Sequence, residues 1–113
     1  MIEGRRSPRY QSIALAVIPG ALEGESVLEN ISITGCCVIC NGAVNLEGET
    51  TYQLVIKPEG ASRIRSFKLQ VYRRWLRKSK DSTAVGFSII ASPKKGRQFL
   101  RYVDYLAYIH SAR

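Results

Sequence analysis

The stretch SVLENISITGCCVIC, residues Ser26–Cys40, decides the fold. From Ser26 to Ile33 apolar and polar residues alternate, which is the period of a half-buried strand. Val27, Ile31 and Ile33 fall on one face, interrupted by Glu29, and Leu28, Asn30 and Ser32 fall on the other. Gly35 breaks the strand and Cys36–Cys40 resumes it. In extended backbone Cys36, Val38 and Cys40 share one face, and Cys37 and Ile39 the opposite one. Asn41-Gly42 then marks a turn.

Three cysteines within five positions invite a redox or zinc reading. Arithmetic opposes both. Tetrahedral structural zinc needs four ligands, and His110 is the only histidine in the chain. On a strand Cys37 and Cys40 stand about 10 Å apart, whereas a disulfide needs Cα atoms within about 7 Å. The cysteines read as small hydrophobes of a strand. An odd count, with no secretory signal at the start, leads us to expect a reducing, cytoplasmic setting.

The same period extends outward along the chain. Ile13–Ile18 reads as a buried strand closed by Pro19-Gly20. Thr50–Lys57 alternates with Tyr52, Leu54 and Ile56 inward, and Pro58-Glu59-Gly60 turns the chain. Ile64–Trp75 forms a long strand with Phe67, Leu69 and Val71 on one side, followed by a charged loop, Arg77–Ser82. Thr83–Ile89 ends the series with Val85, Phe87 and Ile89 inward. Then the period changes. Ser92 suits a helix N-cap and Pro93 the first helical position. Phe99, Val103, Leu106 and His110 mark one helix face, widened by Leu100 and Ala107. The expected architecture is all-β with one helix: a six-stranded antiparallel β-barrel and a C-terminal α-helix from about residue 93. Residues 1–12 are polar and basic without period and read as a flexible arm. Residues 13–113 read as a single barrel domain.

The chain has 113 residues, enough for one core. Its net charge of +8 is unevenly placed. Residues 1–56 hold three basic and six acidic groups, and residues 57–113 hold fourteen and three. A field of that sign draws anions. The longest apolar run, Ile13–Ile18, is far short of the roughly 20 residues a membrane helix needs. Enzyme signals are nearly absent. No glycine-rich phosphate loop follows a strand, no acid pair is set by spacing, and His110 lies on the apolar helix stripe. We expect no catalytic residues and no metal.

Two constellations remain. Arg5, Arg6 and Arg9 surround Ser7-Pro8, with Arg5-x-x-x-Arg9 inside the run. Asn30-x-Ser32-x-x-Gly35 follows about twenty residues on. Asn30 and Ser32, two apart on a strand, would present an amide and a hydroxyl on one face. Gly35 lets backbone approach closely. Guanidinium groups on an arm bind phosphate and stack on planar rings. Together these suit a purine nucleotide, with the base edge on the strand and the phosphate under the arm.

This pattern resembles the PilZ domains, bacterial receptors for cyclic di-GMP. Their signature joins an Arg-x-x-x-Arg arm to an [Asp/Asn]-x-Ser-x-x-Gly strand. Gly48 before the next strand and Val85-Gly86-Phe87 before the helix fit the same family. The resemblance covers essentially the whole chain and implies a six-stranded barrel with a terminal helix. It implies that Arg5 and Arg9 grip guanine face and phosphates, with Arg6 assisting. Asn30 and Ser32 would bond a guanine edge, and Gly35 would keep the strand end open. It also implies a sensor that takes one dinucleotide or an intercalated pair, orders its arm and signals to a partner protein or fused domain. No further cofactor is expected. The alternative is a barrel binding single-stranded nucleic acid through Arg73, Arg74, Arg77, Lys78 and Lys80 around Trp75.

Overall fold

Among the described residues seven strands and one α-helix follow in order: β1 (Tyr10–Gln11), β2 (Leu15–Val17), β3 (Ser26–Ile31), β4 (Gly35–Cys40), β5 (Thr51–Lys57), β6 (Phe67–Lys78), β7 (Thr83–Ile90) and α1 (Gly96–Ser111). The computed structural model describes residues 8–22, 25–46, 51–90 and 96–111. Strands β3, β2, β5, β6, β7 and β4 pair in that order, and β3–β4 pairing closes the ring. Every pairing is antiparallel. The expected six-stranded barrel with a C-terminal helix is therefore present, with one extra strand, β1. That strand pairs Tyr10 with Ile31 and Gln11 with Asn30. The bonds Ser12 N to Glu29 O and Leu28 N to Ala14 O carry the same line onward to β2. So two residues of the expected arm, Tyr10 and Gln11, already belong to the sheet.

The inward faces follow the alternation. Leu54, Ile56, Leu69, Val71 and Val85 are buried in the core, as are Cys36, Val38 and Cys40. All three cysteines are free thiols. In the helix, Phe99, Val103 and Leu106 pack inward as expected. Leu100 does not widen the stripe: it is 52% exposed. Tyr102 takes that role instead and is wholly buried, its ring beside Phe67 and Tyr105. The expected cap Ser92-Pro93 lies outside the described residues.

Two bulges correct the strand reading. In β3, Leu28 pairs with Val38 and Asn30 with Cys37, so Glu29 is an extra residue. A bulge inserts one residue and reverses the facing of all that follow. Hence Leu28 and Ile31, three apart, both point into the core. Ile33 lies past the end of β3, in the turn, and is exposed. In β6 the register slips between Arg73 and Trp75, and the strand runs on to Lys78, through part of the expected loop. The third correction concerns Gly35. The chain does not resume the same strand there. It reverses over Ser32–Thr34, and β4 returns antiparallel along β3.

Tyr102 ties the helix to the barrel end. Its phenol donates to Glu59 Oε1 at 2.8 Å, and the Ser12 hydroxyl lies 2.7 Å from the phenol oxygen. With the phenol proton committed to a carboxylate, Ser12 is left to donate. Burial, reinforced by the Glu59 carboxylate, pushes the Tyr102 phenol well above its ordinary pKa and keeps it neutral. Tyr102→Phe should therefore cost about 1–3 kcal/mol, because it strands two polar partners. A drop in melting temperature without loss of the barrel's circular dichroism would show this.

Candidate functional site

The β3–β4 hairpin builds the site. Ser32 sits at its turn and is 1% exposed. Its hydroxyl accepts from the backbone N–H groups of Thr34 and Gly35, both at 3.1 Å. The backbone N–H of Ser32 bonds the Gly35 carbonyl at 2.8 Å. The side chain expected to be presented beside Asn30 is thus turned inward and shapes the turn, because β3 ends at Ile31 and the chain reverses at Ser32 instead of continuing the strand alternation. A serine in this place competes for backbone donors, the usual behaviour of a short hydroxyl side chain in a turn.

Asn30 lies on the outer surface, and there Arg9 meets it. Arg9 Nη1 donates to Asn30 Oδ1 at 2.8 Å. The same guanidinium reaches across to Gly35: a Cβ placed there would stand 3.1 Å from Arg9 Nη2 and 2.8 Å from the Phe87 carbonyl oxygen. Gly35 is required by close approach of backbone on one side and guanidinium on the other. Three expected site residues, Arg9, Asn30 and Gly35, therefore come together. Ser32 supports them from within the turn. Arg5 and Arg6 lie outside the described residues.

The pairing registers extend the site in a direction the sequence did not show. Asn30 pairs with Cys37, Cys37 with Gly86, and Gly86 with Trp75. Neighbouring strands lie about 4.8 Å apart, so this row crosses four strands on the barrel's outer face. Cys37 and Gly86 form a low floor. Trp75 lies over Gly86, where any Cβ would run into the indole. The indole is 41% exposed, and the Arg77 guanidinium stands over it, 4.9 Å from the ring centre. The sequence pattern places Arg77 at the start of a charged loop. The continuation of β6 brings it to this wall instead. A long hairpin register was the missing signal, and no local pattern encodes it.

Cys37 senses both arginines. Burial pushes its thiol up to about 11, the Glu29 carboxylate adds to the rise, and the charges of Arg9 and Arg77 oppose it. Its sulfur lies 3.7 Å from Glu29 Oε1. Cys36, enclosed in the core, is pushed up to about 12 by burial. Both thiols are neutral and should alkylate far more slowly than an unfolded control at pH 8. A pKa raised in the folded state gives stability that is complete below the unfolded value near 9 and is lost as pH climbs through the folded value. Chemical denaturation should thus show falling stability between about pH 9 and pH 11.

The floor and its two flanks gather two guanidinium groups, an amide and an indole on one surface. Arg9 and Asn30 bound one side, and Trp75 and Arg77 the other. Guanidinium groups supply bidentate bonds to phosphate and flat faces for rings. Among the described residues Asn30 engages Arg9 through its carbonyl oxygen, and its NH₂ group carries two further donors. No group of three potential metal ligands occurs among the described residues.

Among solved structures, the fold matches that of the Bacillus subtilis inhibitor of motility, MotI/DgrA, with a TM-score of 0.73 and 17% identity. The match covers 99% of this chain and 53% of that one, so the chain spans about half the length of its structural neighbour. The likeness defines a shared fold. No family model matches the sequence, and no curated protein matches it either. Among the described residues no helix is long and apolar enough to cross a membrane.

Proposed function

We propose that this chain is a PilZ-type sensor domain that binds cyclic di-GMP on the outer face of its barrel. One observation carries the reading: Arg9 bonds Asn30 and lies against Gly35, joining residues of two separate motifs in one place. The barrel with its terminal helix, shared with MotI/DgrA, supports it. In this reading Arg9 takes phosphate and stacks on a guanine, and Asn30 bonds the guanine edge through its NH₂ group. Trp75 offers a second ring face once Arg77 turns toward phosphate. Arg5 and Arg6 close over the ligand from the arm. The domain works by binding rather than by catalysis, and passes the signal to a partner protein or a further domain.

In this reading the segment ordered by ligand does not include Tyr10 and Gln11, which already pair with β3. Order gained by a segment on ligand binding is a known switching route. Calorimetric titration with cyclic di-GMP, GTP and a single-stranded RNA tests the reading. Saturable binding of cyclic di-GMP at micromolar concentration, with neither competitor matching it, is the expected result. Binding of RNA with no heat from cyclic di-GMP would transfer the function to the basic strand end around Trp75.

A further inference from the structure

Next to this site, a cleft of about 490 Å³ lies between α1, the chain around β1 and the loop after β5. Its walls include Ile13, Leu106 and Ile109, and two carboxylate residues, Glu29 and Glu59. The pairings explain the arrangement. Ser12 N bonds Glu29 O, which sets Glu29 on one side of Ile13. Leu15 pairs with Lys57, so Glu59, two residues on, comes up on the other side. An apolar residue thus stands between two acids, on a chain whose net charge is +8.

The apolar surface does not stop at the cleft. Ile13 is 71% exposed, Leu15 48% and Ile109 40%. Ala14, Ala16 and Ile18 are in the core, so Ile13, Leu15 and Val17 leave the opposite, outer face of the same strand line. Leu15 pairs with Val27 and Val27 with Ile39, widening the track sideways with aliphatic side chains. Ile13 to Val17 spans about 13 Å of extended chain. That length alone corresponds to between two and three turns of helix at about 5.4 Å each.

We propose that this track is a docking surface for a short amphipathic helix of a partner protein, carrying one arginine or lysine that enters the cleft between Glu29 and Glu59. The charge selects the occupant: two carboxylates on an apolar wall favour a cation with an apolar stem, which is what a long basic side chain offers. The track beyond the cleft selects a macromolecule over a small free cation, because only a longer ligand covers Leu15 and Val17. Apolar anchors spaced by three and four residues on a helix suit such a groove. The cleft adjoins the Arg9–Asn30 site, since Gln11 pairs with Asn30 and Glu29 touches Cys37, but Arg9, Asn30 and Trp75 do not line it, and the proposal does not require cyclic di-GMP to bind.

The test is an amide NMR titration of the whole chain with a designed three-turn leucine–alanine helix bearing one arginine. A version with glutamate in place of that arginine and free hexylguanidinium serve as comparisons. The arginine peptide is expected to shift Ile13, Leu15 and Ile109, and the glutamate version to bind about tenfold or more weakly, the value of one charge-assisted contact. Glu59→Gln retains an acceptor for Tyr102 and should erase most of that preference. Ile13→Ser, at an exposed position, should weaken both peptides. Equal binding of the two peptides, or shifts confined to Trp75 and Arg77, would overturn the proposal. So would binding of hexylguanidinium as tight as that of the arginine peptide, which would make the cleft a small-cation site.

Discussion

Arg9→Ala should weaken cyclic di-GMP binding about tenfold or more, the consequence of losing one charge-assisted contact worth roughly 1.5–3 kcal/mol. Lys78→Ala should leave the affinity within about twofold, because an exposed charge at a strand end contributes little through a screening solvent. The contrast separates a built site from a general positive field. Arg9 is held against Asn30 and Gly35, so its guanidinium is close to the position the ligand needs. Lys78 is at the far end of β6, paired with Thr83. Arg77→Ala should fall nearer to Arg9→Ala, because Arg77 stands over the Trp75 wall. Calorimetry on the three variants at one salt concentration decides the matter. Equal losses from Arg9 and Lys78 would mean that net charge alone does the binding, and the site assignment would fail.

Gly35→Ala should damage both stability and binding. The new methyl meets the Phe87 carbonyl oxygen at 2.8 Å and Arg9 Nη2 at 3.1 Å. The carbonyl belongs to a paired backbone strand and cannot swing aside as a side chain does. Overpacking of this kind costs about 1–3 kcal/mol, and each kcal/mol lowers the melting temperature of a domain this size by roughly 4 °C. The guanidinium must also move away from Asn30, so affinity for cyclic di-GMP should drop together with stability. Gly60→Ala is the control: a Cβ there meets nothing within 4 Å. Thermal melts of both variants, followed by titration of each at a temperature where it is folded, make the comparison. A Gly35→Ala protein that melts and binds like the parent would show that the hairpin end has slack, and would remove the reason for glycine at that place.

The barrel was legible because each buried strand repeats every second residue. Leu54 and Ile56, Leu69 and Val71, and Cys36, Val38 and Cys40 all point where a period of two sends them. The helix stripe was legible for the same reason at a longer period. Tyr102 escaped that reading because its ring is apolar and its hydroxyl polar. Only the placement of Ser12 and Glu59 beside it makes full burial affordable. Leu100 was misplaced because a helix face can rotate by one residue with little change in pattern.

The candidate site divides along the same line. By itself, the sequence determined the strand periods, the closing helix, the role of the cysteines as small hydrophobes of a strand and the short-range motifs that single out Arg9, Asn30 and Gly35. The tertiary structure alone decided that Arg9 touches Asn30, that Ser32 turns inward to hold the hairpin, and that Trp75 and Arg77 face the same floor. The physical reason is that local periodicity specifies which residues are buried, whereas bulges and strand register specify which surface residues meet. One extra residue at Glu29 turns every following side chain of β3 to the other face. One slip at Arg74 sets an indole above Gly86, a position only the pairing of β6 with β7 defines.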